Sequence, residues 1–398
     1  MGSSAIRRRR RRVTFTSAAV LTVVAVVSVW RGVSEPASRA PMTVSPARTP
    51  VTSPSAVVFG DRLIVEGLGA FTAAEVARLG RAVPEPPVPV TVTELLVTPR
   101  SGDGQVPLAT MIVDGARYAS AAAEPTLAAE LSRGAVVSRS AARMLGVVAG
   151  DSLRPASGGS LAISAVVDDA LLGGHEVLLG RTAEGTSPLG LADDVDYVIV
   201  RATATARADT ESAIRAALPD RRLRFTVPQL DAYFSPSATV LSQSQVQARF
   251  GMLRLRQDGN GFTVDPAWVA ANIAERSVPL LGRVTCNAKV LPALGAAMAE
   301  LARRGLSDLV ETADFARQGG CWSVRTVRDG SAVSRHTWGI AVDINVAHNP
   351  LGATPRQDPR LVAVMERNGF TWGGRWLRPD GAHFEWVGTT TKPLARPA

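Results

Sequence analysis

The stretch Ser334-Arg335-His336-Thr337-Trp338-Gly339-Ile340-Ala341-Val342-Asp343 decides how this chain is interpreted, together with Asp380-Gly381-Ala382-His383-Phe384-Glu385. The two segments supply two imidazoles and a carboxylate that can bind a metal, and a second carboxylate three residues before the last imidazole. Only four histidines occur in the 398 residues, and two of them lie here. A catalytic zinc site needs three such ligands, a position left for water, and a base that takes the proton of that water. The two segments therefore predict a hydrolytic metalloenzyme.

The residues between His336 and Asp343 indicate their own local structure. Most are poor helix formers, and an odd separation along a straight strand would send the two side chains to opposite faces. We therefore predict a loop that carries His336, a bend at Gly339, and a strand over residues 340–344. Glycine suits the bend because it adopts backbone angles that other residues avoid.

The second segment has the alternation of a strand. Phe384 and Trp386 alternate with His383 and Glu385, which is typical of a half-buried strand and puts the two polar residues on one face. Asp380 then lies in the turn just before it. The alternative interpretation is a pair of ordinary strands with surface histidines.

The pattern Ser-x-His-x-x-Gly-x-Ala-x-Asp followed by Asp-x-x-His-Phe-Glu resembles the D-alanyl-D-alanine carboxypeptidase family of zinc metallopeptidases. That family includes the vancomycin-resistance carboxypeptidases and dipeptidases and the L-alanyl-D-glutamate endolysins. The resemblance extends over residues 246–390. It implies that His336, Asp343 and His383 bind Zn²⁺ and that Asp380 is the catalytic base, as in the endolysin-like branch.

The family also has an arginine, upstream of the first motif, that orients the substrate and stabilises the developing oxyanion. Arg325 is the best match, and Arg328 is its rival. The tyrosine of the family's Tyr-x-x-Arg segment is replaced or displaced here. Ser334 and Glu385 are further candidates for contacts with the substrate or with a ligand. Glu385 either fixes an imidazole or is a solvated charge on the strand.

The amino terminus predicts where the chain acts. Six arginines at 7–12 precede residues 13–30, which carry no charge. About eighteen apolar residues are the minimum for a membrane helix, and basic residues before it favour a cytoplasmic start and an exported remainder. We therefore predict a single-pass protein of the cell membrane whose catalytic domain is extracytoplasmic. A cleaved signal peptide is the alternative to an uncleaved anchor.

The basic charge balance is a signal of topology. The net charge of +9 and the isoelectric point of about 10.7 suggest a nucleic-acid partner. However, the six arginines at 7–12 account for six of the nine charges, which leaves +3 for the rest of the chain. We therefore predict no nucleic-acid partner.

Composition divides the chain into four parts. Residues 1–33 are a cytoplasmic basic tract and transmembrane signal anchor, and 34–55 are a Pro/Ser/Thr-rich linker that cannot bury a core. Residues 56–245 form a separate mixed α/β accessory domain, and 246–398 form the zinc D-Ala-D-Ala carboxypeptidase-like catalytic domain. A short stretch, 136–153, resembles the extracytoplasmic domains of MacB/FtsX-type permeases. Because 56–245 shows no catalytic cluster, we interpret it as a spacer or a module that binds a protein partner.

The predicted fold class of the C-terminal domain is α+β, with helices packed on a small antiparallel sheet. One helix is indicated by apolar residues at helical spacing, namely Leu291, Leu294, Met298 and Leu301. Cys286 and Cys321 both lie in this domain. An exported location is compatible with a disulfide between them, and two reduced buried thiols are the alternative.

These observations favour a membrane-anchored, extracytoplasmic zinc metallopeptidase. The resemblance implies that its substrates are peptidoglycan stem peptides, cleaved at a bond of the D-Ala-D-Ala or L-Ala-D-Glu type. The competing hypothesis is a non-catalytic cell-wall binding or scaffold protein with a vestigial peptidase fold. A protein partner bound through residues 56–245 is compatible with catalysis.

Overall fold

A computed structural model describes residues 61–100, 102, 104–182, 186–191, 194–227, 241–258, 261–327 and 332–388. The chain divides into the units Met1–Pro50 and Val51–Ala398, and every described residue lies in the second unit. The predicted basic tract, membrane helix and linker fall outside the described residues, as does Arg328. Within the described ranges no helix combines the length and the apolar character needed to cross a bilayer.

The strands and helices are numbered in chain order. The strands are β1 (Arg62–Phe71), β2 (Val88–Val97), β3 (Val106–Val113), β4 (Ala135–Ser138), β5 (Ser152–Leu153), β6 (Leu161–Val167), β7 (Val177–Gly180), β8 (Val195–Arg201), β9 (Leu223–Thr226), β10 (Leu255–Asp258), β11 (Gly261–Val264), β12 (Ile273–Val278), β13 (Gly282–Asn287), β14 (Ala341–Asp343), β15 (Phe370–Trp372) and β16 (His383–Trp386). The α-helices are α1 (Ala73–Ala82), α2 (Gly115–Ala121), α3 (Thr126–Arg133), α4 (Arg139–Leu145), α5 (Arg207–Ala217), α6 (Gln243–Phe250), α7 (Pro266–Asn272), α8 (Leu291–Arg303), α9 (Thr312–Arg317) and α10 (Pro359–Arg367). Short 3₁₀ helices are Asp169–Leu172, Pro188–Gly190, Ser307–Leu309, Arg335–Trp338, Val346–His348 and Gly373–Arg375.

The first half of the described chain is built on one mixed sheet. Its nine strands run in the order β5-β6-β4-β7-β3-β2-β8-β1-β9. The pairs β3–β7 and β4–β6 are parallel, and the other pairs are antiparallel. Local signals fix two of its helices. The side chain of Thr72 forms a capping box with Glu75 at the start of α1, and Ser138 caps α4, which ends at the left-handed Gly146.

The second half has the predicted α+β architecture. Three strands form a small antiparallel sheet in the order β14-β16-β15, and β10–β11 and β12–β13 form two separate antiparallel hairpins. Helix α10 packs against both β15 and α8. The face predicted for α8 is confirmed, because Leu291, Leu294, Met298 and Leu301 are all buried. The mixed α/β character of the chain as a whole is confirmed.

Buried apolar residues gather in separate clusters. One cluster has all its buried members between Leu241 and Val387, and the buried members of three others lie between Leu63 and Leu218. The boundary between 245 and 246 stays a prediction. Cys286 and Cys321 are joined as a disulfide, with their Cα atoms 5.2 Å apart. The disulfide ties β13 to the segment that leads into the first histidine motif.

Candidate metal centre

His336 lies in the 3₁₀ helix Arg335–Trp338, where the sequence predicted a plain loop. The hydroxyl of Ser334 caps this turn by accepting a hydrogen bond from the backbone N–H of His336 at 3.4 Å. The predicted bend at Gly339 is confirmed. Gly339 has a φ of +64°, and a Cβ there would lie 2.7 Å from the backbone nitrogen of Asn287. Both facts require glycine, which turns the chain from His336 into β14.

One ring nitrogen of His336 is committed to the protein backbone. Its Nδ1 lies 2.8 Å from the carbonyl oxygen of Cys321, so Nδ1 carries the proton and donates. The other ring nitrogen, Nε2, points at Asp343 and His383 and is the one available to a metal ion. A backbone partner of this kind is how proteins fix the tautomer and ring orientation of a metal-binding histidine. The ring is buried, which contradicts the interpretation as a surface histidine.

The other two candidate ligands meet across a pair of strands. Strands β14 and β16 pair antiparallel in a register that puts Asp343 directly opposite His383. Side chains at directly opposite positions project from the same face of a sheet. Strand β14 is shorter than the predicted 340–344. Strand β16 is buried on both faces and not half-buried, since Phe384 lies in the core while His383 and Glu385 are also covered.

The structure brings the three predicted ligands to one point. The Nε2 of His336 lies 3.3 Å from the Nδ1 of His383 and 3.2 Å from the Oδ2 of Asp343, and the His383 Nδ1 lies 3.1 Å from the Asp343 Oδ1. Ligands of one tetrahedral zinc ion with bonds of about 2.0–2.1 Å are separated by roughly 3.3 Å. Among the described residues, these three side chains form a group that could hold a metal ion. The donor set and its spacing fit zinc.

The charges of the cluster are mutually dependent. Burial acts to raise the pKa of Asp343, but the charge of His336 and the hydrogen bonds from both imidazoles outweigh it and hold that pKa far below its ordinary range. Burial acts to lower the pKa of His383, and the hydrogen bond to Asp343 with its charge raises it above the ordinary value. The carboxylate therefore stays ionised beside the imidazoles, as a ligand must.

Asp380 lies beside the three ligands without joining them. Its backbone forms the turn into β16, since its carbonyl accepts from the N–H of His383 at 3.2 Å and its N–H donates to the carbonyl of Gly373 at 3.0 Å. Burial raises the pKa of its carboxyl group above the ordinary value, opposed by the charge of His383. Its side chain lines the same cavity as His336 and His383. A carboxylate in this place can take a proton from a water in the cavity.

Arg325 also reaches the cluster, through Asp343. Its Nη2 lies 3.5 Å from the Oδ2 of Asp343, and 41% of its side chain is exposed. Its backbone is held on both sides by Thr337, whose hydroxyl accepts from the Arg325 N–H at 3.2 Å and donates to its carbonyl at 3.0 Å. Arg325 therefore offers a positive charge at the rim of the cavity, beside the candidate ligands.

Glu385 is not a solvated strand charge. Its side chain is buried, and burial raises its pKa against the opposing charge of Arg335. Arg335 places its Nε 3.4 Å from the Oε1 of Glu385. The other oxygen, Oε2, lies 4.0 Å from the Nε2 of His383, which is beyond hydrogen-bond distance. Glu385 thus lies near the second histidine and forms an ion pair with the mostly buried guanidinium of Arg335.

The cluster opens into a cavity of about 950 Å³ that both halves of the described chain line. Trp376 forms part of its wall, with its ring centroid 5.1 Å from that of His383. From the N-terminal sheet come Glu66, Gly67, Leu68, Gly69, Val92, Thr93, Glu94, Ala109 and Asp196. Sequence reasoning did not predict this wall, because no motif in residues 56–245 indicates it. It also gave Arg335 no role, although that residue lies inside the first motif.

Comparison with known families gives one match. Residues 328–386 match the model of a family described as D-alanyl-D-alanine carboxypeptidase. The matched residues include all three candidate ligands, Asp380 and Glu385, and begin after Arg325. The C-terminal region is therefore similar to peptidases of this family. No curated protein matches the chain.

Eleven chains of solved structures match, and two illustrate them. One is a domain of a protein described as a permease, from Porphyromonas gingivalis, with 14% identity over 43% of this chain and 91% of its own, at a TM-score of 0.27. Another is the extracellular domain of the noncanonic ABC-type transporter YknZ from Gram-positive bacteria, with 15% identity over 40% of this chain and 94% of its own, at a TM-score of 0.30. At TM-scores this low, neither likeness carries an argument about this chain.

Proposed function

We propose that this chain is a membrane-anchored, extracytoplasmic zinc metallopeptidase that hydrolyses peptide bonds in peptidoglycan stem peptides. The observation that carries the proposal is the convergence of His336, Asp343 and His383, with Asp380 lining the same cavity. The match of residues 328–386 to a carboxypeptidase family supports the reaction class. The substrate class rests on the resemblance of the two motifs, and the anchor rests on the arginines and the apolar run of residues 7–30.

Zinc suits this site better than the hard cations. Two imidazole nitrogens and one carboxylate oxygen are donors that zinc accepts in catalytic sites, whereas magnesium and calcium take oxygen ligands. His336, Asp343 and His383 would hold the ion. When bound, zinc supplies a Lewis acid and lowers the pKa of a bound water to about 7.

The chain's own residues supply the remaining chemistry. Asp380 accepts the proton of the attacking water and passes it to the leaving amine. Arg325 offers a fixed positive charge, which orients the substrate and stabilises the oxyanion that develops on the attacked carbonyl. Trp376 beside His383 gives the cleft an aromatic wall. A non-catalytic binding protein would need the cavity but not the Asp380 carboxylate beside the ligands.

The decisive experiment is incubation of the purified full chain with muropeptides, followed by mass spectrometry of the products. We expect loss of a terminal D-alanine or cleavage beside D-glutamate, abolished by a zinc chelator and restored by added zinc. A preparation that holds one zinc per chain and leaves every muropeptide intact would overturn the enzymatic function. Substoichiometric zinc together with tight binding of muropeptides would favour the cell-wall binding protein.

The location is tested separately. Protease added to intact spheroplasts should degrade the chain beyond residue 56, because the proposed anchor leaves that part outside. Protection of the C-terminal region until the membrane is broken would show the topology to be wrong.

A further inference from the structure

The N-terminal sheet contacts the backbone that leads into the first candidate ligand. Glu94 lies in β2, and its Oε1 accepts a hydrogen bond from the backbone N–H of Val333 at 3.0 Å, across 239 residues of sequence. Val333 directly precedes Ser334, whose hydroxyl caps the 3₁₀ helix that carries His336. Glu94 therefore restrains the chain three residues before that ligand.

A second connection reaches the residue adjacent to His336. The guanidinium of Arg335 donates from Nη1 to the Oε1 of Gln243 at 2.6 Å and from Nη2 to the carbonyl of Leu241 at 2.9 Å. Gln243 in turn donates from Nε2 to the carbonyl of Pro107, in β3 of the N-terminal sheet, at 3.3 Å. Only 16% of the Arg335 side chain is exposed. Gln243 therefore links a mostly buried guanidinium to the sheet.

The same guanidinium extends the connection to the second histidine. Its Nε lies 3.4 Å from the Oε1 of Glu385, whose side chain is 3% exposed, and the Oε2 of Glu385 lies 4.0 Å from the Nε2 of His383. A buried carboxylate needs a counter-charge in a fixed place. Displacement of Arg335 would leave the buried Glu385 carboxylate, which lies beside the imidazole ring of His383, without this counter-charge.

We propose that Glu94 and Gln243 are positioning residues of the metal centre. Glu94 holds the backbone before His336, and Gln243 holds the Arg335–Glu385 pair beside His383. The N-terminal sheet is then a structural part of the active site. The inference rests on the proposed function for the identity of the metal, and it assigns to residues 61–243 a role beyond that of a spacer.

The test uses the full chain and measures zinc affinity by competition with a chromophoric chelator, with the absorption spectrum of the Co²⁺ form as a second readout. We expect Glu94→Ala and Gln243→Ala to weaken zinc binding by about 10–100-fold, which is the usual effect of losing an outer partner of a metal ligand. Glu94→Gln should bind zinc nearly as tightly as the wild type, because its amide oxygen can still accept from Val333. Glu85→Ala is the control, since Glu85 is exposed and its ion pair with Arg201 lies on the surface.

The outcomes separate the two proposals. Wild-type zinc affinity and an unchanged Co²⁺ spectrum in both Glu94→Ala and Gln243→Ala would overturn the positioning role while leaving the zinc site intact. A wild-type chain that binds no zinc would overturn the proposed function itself. If Glu94→Ala does not fold by circular dichroism, Glu94→Asp replaces it. This variant keeps the charge but withdraws the acceptor by one methylene, and we expect weakened zinc binding in the folded protein.

Discussion

The N-terminal sheet and the candidate metal centre both contain charged side chains shielded from water, but these side chains find their partners in different ways. In the N-terminal sheet two acids that are shielded from water each accept a hydrogen bond from a backbone donor. Glu176 accepts from the N–H of Ala109 at 2.7 Å, and Asp196 accepts from the N–H of Val92 at 2.6 Å. Burial raises the pKa of Asp196 to about 6 and that of Glu176 well above its ordinary value. Each of these two carboxylates thus has a backbone donor of its own, whereas Glu66 pairs with the guanidinium of Arg224.

In the metal centre three polar side chains instead converge on one another. The Nε2 of His336, the Nδ1 of His383 and the carboxylate of Asp343 all lie within 4.8 Å of one another. The backbone already holds the proton of His336 on its other nitrogen. Lone pairs that face lone pairs at such distances repel unless a cation or a proton lies between them. A buried charged group with its own donor or counter-charge therefore serves the fold. Several buried groups whose ligand atoms point at one another instead indicate a bound ligand.

Removing one ligand should have the largest effect. We expect His336→Ala to weaken zinc binding by more than the roughly 100-fold of an outer-partner variant and to abolish peptide hydrolysis, because two ligands hold zinc poorly. Zinc content and hydrolysis rate measure this. His348→Ala is the control, since the His348 side chain is 60% exposed. Full zinc content in His336→Ala would contradict the inference that the three converging side chains bind a metal ion.

Changing the base should separate binding from chemistry. Asp380→Asn is nearly isosteric, so the chain should keep its zinc and its stability. Turnover should fall by about 10²–10⁴-fold, which is the usual contribution of a general base. Asp308→Asn, at an exposed acid of the same half, should change nothing. Near-wild-type turnover in Asp380→Asn would place the base elsewhere, and Glu385 would be examined next.

The same contrast explains which features of the site could be predicted from the sequence and which could not. His336 and Asp343 are seven residues apart, and Asp380 precedes His383 by three, so both pairs leave a pattern in the sequence. The structure brings these residues together. The burial of Glu385 was not predictable from the sequence. Its partner Arg335 is held by hydrogen bonds to Gln243 and Leu241, which lie almost a hundred residues away along the chain. Likewise Glu94 meets Val333 across 239 residues, and no local pattern encodes that contact. Helix α8 and the capping box of α1 were predictable because their signals are local.

The disulfide should have an effect on stability that is smaller than the effect of removing a ligand or the base on activity. It closes a loop of 35 residues, which in the chain-entropy model stabilises the folded state by about 3–4 kcal/mol. We therefore expect the double variant Cys286→Ser, Cys321→Ser to lose that free energy of unfolding in urea. Tryptophan fluorescence monitors it, since six of the seven tryptophans lie beyond residue 260. An unfolding free energy equal to that of the wild type would show that the loop is already constrained without the bond.

The smallest effects should come from single methyl groups, and they probe how tightly the turn that carries Asp380 is held. A Cβ on Gly373 would lie 2.8 Å from the carbonyl oxygen of Asp380 and 3.3 Å from the Cβ atoms of Asp380 and His383. Gly373→Ala must therefore shift the turn that carries the base, and a displacement of about 1 Å can cost 10²-fold in turnover.

Gly295→Ala is the matched control, because a Cβ there meets nothing within 4 Å. Its position inside α8 predicts a gain of about 0.5–1 kcal/mol in stability with unchanged turnover. Unchanged kcat in Gly373→Ala would mean that the turn gives way freely, and Asp380 would then be near the metal site without being held there.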